Sequence, residues 1–475
     1  MSVIPFFLAG HPTTRPRTAP IHAPWDGQLL AEVCVATPED LDHALHAAWA
    51  ARPTLAGMPR HRRAAILEAA RDAILSDLPA LAATLSAEAG KPVTLAEGEV
   101  RRTADTFTDA AFAARGLAGT PVPLDAAPGG EGRVALSERV PVGVLAAITP
   151  FNFPLNLVAH KLAPAIAAGC PVVLKPAPET PLSALRLAQI LYDAGLPPEA
   201  LSVLPLDVSD AGPLSTDPRV AALSFTGSAA VGWKLKAQAQ RARVFLELGG
   251  NAGVYVHSDA DLDLAASRIA WGGFAYAGQA CISVQRVFVH AEVYDAFVPK
   301  LLREVSEQIT AGDPASRDTV VGPLIRRRDA DRVRQWVREA VQAGATRLLG
   351  TDGEGQLVPP QILCDAPSSA RVCREEVFGP VVVLQRVGSA QEALGAINDS
   401  PFGLQAGVFT EDVSLLLRAH RELEVGAVIH NDASTFRVDL MPYGGVKQSG
   451  LGREGPRYVV EELTEPRLLV LRMPT

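Results

Sequence analysis

The chain has 475 residues, 48% hydrophobic and 20% charged, which supplies large buried cores and excludes a disordered or fibrous protein. Its 44 basic and 52 acidic residues give a net charge of -8 with no basic stripe, so nucleic acid is excluded as a natural partner. No apolar run approaches the roughly 20 residues that a membrane span requires, and Ile4 to Ala9 has neither the basic flank nor the length of a signal peptide. A soluble, cytoplasmic protein with no membrane partner is expected. At roughly 150 residues per domain, the length predicts about three domains.

Residues 40 to 115 read as helical, and within Arg60 to Ala83 the positions Ala65, Leu67, Ala70, Ile74, Leu78 and Leu81 recur at three- and four-residue steps. Turn residues from Pro121 to Gly132 and an alternating Val134 to Val142 predict a hairpin over 118 to 141 that leaves the main body. Val142 to Ile148 and Val172 to Leu174 read as buried strands, with Leu155 to Ala168 as the helical crossover between them. Thr180-Pro181 starts a further helix, threonine as N-cap and proline in the first turn. Strands follow at Leu201 to Leu204, Val220 to Phe225 and Val244 to Leu248. This βαβ alternation predicts a mainly parallel sheet covered on both faces. A second α/β region has helices after 259, near 291 to 311 and 329 to 343, and strands near 381 and 426. A cleft between the two regions is the expected ligand site.

Several short segments carry chemistry. Gly450-Leu451-Gly452-Arg453-Glu454-Gly455 matches the dinucleotide pattern GxGxxG, but it follows loop composition and lies too near the C-terminus for a βαβ unit. Ser224-Phe225-Thr226-Gly227-Ser228 is better placed, after a strand and before the helix former Ala229 to Ala239. It is either an ordinary glycine turn or a phosphate site at a helix N-terminus. Of the five cysteines, 34, 170, 281, 364 and 373, none forms a CxxC pair, so neither a disulfide scaffold nor a metal site is expected. Only Cys281, after Gly278-Gln279-Ala280, has small neighbours that leave its sulfur accessible as a nucleophile. His160, beside Lys161 in an apolar helix, reads as a core residue. Glu247, amid Val244 to Leu248 and followed by two glycines, is either on a strand's solvent face or a buried general base. Asn152, in the stiff loop Thr149-Pro150-Phe151-Asn152-Phe153-Pro154, is a turn residue or a donor to an oxyanion. Lys175 ends a strand at the edge where α/β folds bind ligands. Lysine occurs only at 91, 161, 175, 234, 236, 300 and 447 in a chain otherwise rich in arginine.

Six segments in this order resemble the NAD(P)-dependent aldehyde dehydrogenase superfamily. They are Pro150-Phe151-Asn152-Phe153-Pro154, Leu174-Lys175-Pro176, Phe225-Thr226-Gly227-Ser228, Glu247-Leu248-Gly249-Gly250-Asn251, Gly278-Gln279-Ala280-Cys281 and Glu375-Glu376-Val377-Phe378-Gly379-Pro380-Val381. Pro442-Tyr443-Gly444-Gly445 through Gly450 resembles the family's C-terminal signature. The resemblance implies that Cys281 attacks an aldehyde to give a thiohemiacetal, with Asn152 and the Cys281 N–H holding the oxyanion. Hydride then leaves for the nicotinamide, and water activated by Glu247 hydrolyses the thioester. It also implies that Thr149, Pro150, Lys175, Gly227, Ser228, Gly232, Leu248, Glu376 and Phe378 bind the cofactor. A coenzyme A-acylating branch is expected to lack Glu247, and a non-catalytic structural protein on the same fold to lack nucleophile or base.

The implied architecture is α/β: two Rossmann-like parallel-sheet domains plus a small β oligomerisation element. Residues 1–118 and 142–248 would form the dinucleotide-binding domain, 249–448 the catalytic domain, and 119–141 with 455–475 the oligomerisation element. The hydrophobic terminal strand Leu468-Leu469-Val470-Leu471 makes a homodimer or homotetramer the expected assembly. Where many NAD-preferring members carry glutamate, this chain has Pro178, followed by Glu179; loss of that carboxylate admits NADP beside NAD. The text around 150 and 440 resembles the lactaldehyde- and phosphonoacetaldehyde-dehydrogenase-like branch, which implies a small polar aldehyde substrate. Arg101, Arg102, Arg286 and Arg437 are the candidate anchors for an anionic tail.

Overall fold

The computed structural model describes residues 3–474. Two α/β layers carry the chain. In the first sheet five strands run parallel in the spatial order Arg243–Glu247, Val220–Thr226, Val144–Ile148, Val172–Lys175 and Leu201–Val203. Chain order therefore starts at the middle strand, moves to one edge and returns to the other, and this reversal opens a crevice at the strands' C-terminal ends. The flanks are antiparallel: Gly450–Leu451 on Arg243–Glu247, and Phe6–Leu8 on Leu201–Val203. Val172, Val173, Leu174, Leu145 and Ala146 are buried, as expected of strands covered on both faces.

The second sheet runs Thr346–Leu349, Gln361–Cys364, Val381–Val387, Val284–His290, Ala252–Val256, Gln405–Phe409, Ala427–His430, and only its first strand is antiparallel. Each sheet has its own apolar core, one built from Phe6 to Leu223 with Val460 and Leu463, the other from Val254 to Ala433. A third sheet joins Thr464–Arg472 to Arg133–Pro141 and that strand to Thr120–Val122. Among the described residues no helix is long and apolar enough to cross a membrane.

Three local expectations are corrected. The stretch from Arg60 is two helices, Arg60–Ser76 and Leu78–Ala89, broken at Asp77 before Pro79, and Ala65 faces solvent while Ala64 and Ile66 are buried. Thr180 does not cap the helix Pro181–Asp193. Instead the carboxylate of Glu88, wholly buried, accepts the N–H groups of Leu182 and Ser183 at 2.9 and 3.1 Å, where a helix leaves orphan donors and favours negative charge. The strands between Val3 and Cys34, including Phe6–Leu8 at the edge of the first sheet, form no part of the expected element pattern.

Candidate active site

A cavity of about 820 Å³ lies between the two sheets, and Asn152, Glu247, Cys281 and Glu376 all line it. Cys281 follows a contorted turn: Tyr276, Ala277 and Gly278 have φ of 54°, 55° and 66° in succession. A Cβ at Gly278 would sit 2.3 Å from the Gly379 carbonyl oxygen, so this approach admits only glycine. Gln279 then fastens the loop. Its side-chain oxygen accepts from Ile325 N at 3.0 Å, and its backbone oxygen accepts from Asn152 Nδ2 at 2.9 Å. Cys281 is the one partly exposed cysteine; the other four are buried. Desolvation pushes its thiol up to about 12, opposed by a hydrogen bond to Tyr443 and by the Arg437 charge.

The Asn152 loop is held from beneath. Glu99 Oε1 accepts the N–H groups of Leu155 and Asn156 at 3.0 and 3.1 Å, and its other oxygen pairs with Lys91. The Lys91 ammonium lies 3.7 Å from the Phe153 ring centroid and 4.5 Å from that of Tyr276. One buried ion pair thus braces both the Asn152 loop and the turn leading to Cys281. It forms no part of the sequence reading, although Lys91 is one of only seven lysines.

Glu247 ends its strand inside the protein and not on a solvent face: it is buried, and its Oε2 has no hydrogen-bond partner. Desolvation raises its pKa well above the usual carboxylate value, and the neighbouring charge of Glu454 raises it further, against Arg437, Lys161 and Arg453. Glu454 bonds Arg437 at 2.7 Å and is held down at about 2, despite desolvation, by the charges of His160, Arg437 and Lys161. The pair thus splits, with Glu247 raised by burial and by its neighbour's charge, and Glu454 lowered by the surrounding cations. The glycines after it are spacers. A Cβ at Gly249 would stand 2.1 Å from Glu376 Oε2, and one at Gly250 would stand 2.3 Å from the Cys281 carbonyl oxygen. Gly250 N donates to Glu376 Oε1 at 3.0 Å, and desolvation still pushes that carboxyl up to about 7.

The segments expected to meet a dinucleotide frame the same crevice. Ser228 stands at the N-cap position of the helix Ala229–Gln238 without capping it, and Gly227 lines the cavity. A Cβ at Gly232 would come within 2.4 Å of Leu248 Cδ2, so a larger residue there would have to push the leucine tip aside. Thr149 Oγ1 is buried without a partner beside Pro150, and Phe378 (φ 46°) meets Phe151 edge-on at 5.9 Å. Lys175 is buried at its strand end; desolvation lowers its pKa while Glu179 and Asp207 support its charge. Glu179 itself is engaged, bonded to Arg326 Nε at 2.7 Å. These orphaned donors and glycine-lined gaps fit a dinucleotide with two riboses and a pyrophosphate.

The four candidate arginine anchors separate. Arg286 is buried and donates to the carbonyls of Asn251, Ala396 and Ile397, so it ties loops together and anchors no substrate. Arg101 is exposed, 3.8 Å from Glu97 and away from the cavity lining. Arg102 and Arg437 do line the cavity. Arg102 is bidentate to Asp439 at 2.9 and 2.7 Å, and Arg437 stacks 3.7 Å from the Tyr443 ring centroid. His160 is a core residue as expected, bonded to Asp439 at 2.8 Å. The GxGxxG match at 450–455 is an antiparallel edge strand and loop, and it supplies Glu454 to the Glu247 pair.

The chain is similar in sequence and fold to known proteins. The sequence profile described as "Aldehyde dehydrogenase family" matches residues 12–469. A 3-sulfolactaldehyde dehydrogenase of Priestia aryabhattai is 46% identical over 448 residues, covering 94% of this chain and 93% of that protein. Aldehyde dehydrogenase 21 of Physcomitrella patens, solved with the reaction product succinate, superposes with a TM-score of 0.97 at 40% identity, covering 99% of this chain and 98% of that one. An NADP-dependent glyceraldehyde-3-phosphate dehydrogenase of Bacillus halodurans C-125, complexed with NADP, superposes at 0.97 with 35% identity over 100% of both chains.

Proposed function

The chain belongs to the aldehyde dehydrogenase family, and on that premise we propose that it oxidises a small aldehyde bearing an anionic group, with Cys281 as nucleophile and Glu247 as hydrolytic base. The observation that carries the reading is the convergence of Cys281, Asn152, Glu247 and Glu376 on one cavity. Cys281 Sγ, as thiolate, adds to the carbonyl carbon. Asn152 spends one amide N–H on the Gln279 carbonyl and has a second for the oxygen that becomes negative, where a fixed donor is worth more than in water. Bound NAD(P)+ would supply the hydride acceptor through which the Cys281 thiohemiacetal becomes a thioester. Glu247 then takes a proton from the attacking water, and the acid leaves. The raised proton affinity of this carboxylate makes it a stronger base than an exposed glutamate, and its presence speaks for water rather than coenzyme A as acyl acceptor.

Thr149, Pro150, Lys175, Gly227, Ser228, Gly232, Leu248, Glu376 and Phe378 would hold the cofactor. Pro178 puts no carboxylate where a 2′-phosphate would be repelled, and the charge of Glu179 is already engaged by Arg326, which supports use of NADP beside NAD. The substrate reading draws on the relatives. One relative is a 3-sulfolactaldehyde dehydrogenase, one was solved with succinate as reaction product, and one is a glyceraldehyde-3-phosphate dehydrogenase, so each is associated with a compound that carries an anionic group. Of the four candidate anchors, Arg102 and Arg437 line the cavity, beside Lys91, Arg268 and Arg332, and could face such a tail. A cytoplasmic setting suits the five free cysteines. A homo-oligomer suits the strand Thr464–Arg472, whose Leu468 and Leu469 are 52% and 51% exposed. The test is kcat/KM over an aldehyde panel matched for length. Sulfonated or carboxylated aldehydes should exceed neutral ones at least tenfold, and equal values for a neutral alkanal would overturn the substrate assignment.

A further inference from the structure

Tyr443 has no part in the scheme above, yet its hydroxyl lies 2.8 Å from Cys281 Sγ. The ring is fixed from several sides. It is 3% exposed, packs in a small apolar cluster with Ile282 and Leu404, and carries the Arg437 guanidinium 3.7 Å from its centroid. Its backbone N–H donates to Met441 O at 2.8 Å and to Glu454 O at 3.1 Å. The hydroxyl is thus delivered to the sulfur by a rigid platform rather than by a rotating side chain.

Cys281 has no histidine to accept its proton or share its charge. The charged and titratable groups that face it are Tyr443, Arg437, Glu376 and Glu247. The two carboxylates oppose a negative sulfur, as does burial, while Arg437 favours it without touching it. Only Tyr443 makes contact. Since a thiolate has no proton to donate, the phenolic O–H must be the donor whenever the sulfur is charged.

We propose that Tyr443 is a positioning residue that donates its hydroxyl proton in a hydrogen bond to the Cys281 thiolate, stabilising the anion and restraining the sulfur for attack. The role rests on the assignment of Cys281 as nucleophile. Burial raises the Tyr443 phenol well above its ordinary value, so it keeps its proton throughout the working range. At Cys281 the Tyr443 hydrogen bond is the first influence opposing desolvation.

The test reads the sulfur directly, with no aldehyde present. The rate of Cys281 alkylation by iodoacetamide is followed by peptide mass against pH in the whole protein. In Tyr443→Phe the midpoint should move to higher pH and the rate at mildly alkaline pH should fall about tenfold or more, the expected loss of one hydrogen bond to a charged group. NADP binding should be unchanged. Superimposable profiles would overturn the proposal. Should Tyr443→Phe fail to fold, replacing all 6 tyrosines by 3-fluorotyrosine makes the donor more acidic. The midpoint should then fall, and an unmoved midpoint is again refutation. Aldehyde oxidation is assayed separately, so a chain that shows the alkylation shift but oxidises no aldehyde refutes the proposed function and leaves the Tyr443–Cys281 bond standing.

Discussion

Replacing Glu247 by glutamine removes a base while keeping the shape of the side chain. The neighbouring carboxylate is poorly fitted to take over. Glu454 is bonded to Arg437 at 2.7 Å and lies 4.0 Å from Lys161, and its pKa of about 2 makes it a weak proton acceptor. The full contribution of general-base catalysis, about 10² to 10⁴ in rate, should therefore be lost. That loss falls on hydrolysis, because Glu247 enters only after the thioester has formed. Rapid mixing of Glu247→Gln with excess aldehyde and NADP should give a burst of NADPH near one equivalent per active site, followed by a steady state slowed about a thousandfold. A first turnover slowed as much as later ones, or undiminished steady-state turnover, would refute the assignment. The pH dependence has a definite sign. With its pKa raised, Glu247 is protonated and idle at low pH, so kcat in the native protein should climb as pH rises through that pKa, and Glu247→Gln should lose this limb. The folded state also holds this proton more tightly than the unfolded chain. The stabilisation is complete below the unfolded pKa and is lost as pH rises through the folded one. Glu247→Gln should accordingly gain in Tm against the native protein at alkaline pH, with no gain in acid; the opposite trend would contradict a buried, raised carboxyl.

Glu376, pushed up to about 7 by burial, should bind a ribose as carboxylate, so NADP affinity measured by fluorescence titration should weaken as pH falls through neutrality and become pH-independent in Glu376→Gln. Lys91→Met strands the Glu99 charge; breaking a buried pair costs about 3 to 5 kcal/mol, which thermal unfolding should register as a large fall in Tm accompanied by loss of burst amplitude. Pro178→Glu should raise KM for NADP at least tenfold and spare KM for NAD, and equal effects on the two would remove Pro178 from cofactor selection.

The candidate catalytic segments are legible in the sequence because each packs its chemistry into contiguous residues. Glu247-Leu248-Gly249-Gly250 declares a costly carboxylate and two glycines, and the structure supplies the reason for the glycines: Glu376 and the Cys281 carbonyl occupy the space a Cβ would take. What could not be read joins distant parts of the chain. Arg102 and Asp439 are 337 positions apart, and Asn152 and Gln279 are 127 apart. Helix periodicity likewise marks Arg60 to Ala83 as helical but selects Ala65 over the buried Ala64, since alanine on either face satisfies the pattern. Thr180 looked like a cap because capping by Glu88 comes from outside the local sequence. The GxGxxG segment forms an edge strand and loop instead of a dinucleotide turn, yet it holds Glu454, whose charge raises Glu247. Of seven lysines, Lys91, Lys161 and Lys175 are buried around the crevice, which suggests that in an arginine-rich chain a retained lysine in apolar surroundings marks a site.

The central claim is that the aldehyde carbon becomes bonded to Cys281 before water reaches it. It is tested most directly by quenching Glu247→Gln with acid shortly after mixing with aldehyde and NADP, then weighing the intact protein and its peptides. The account predicts a mass gain equal to the acyl group, carried by the peptide containing Cys281 and absent in the double variant with Cys281→Ser. An unmodified chain, or an acyl group on any other residue, would contradict it.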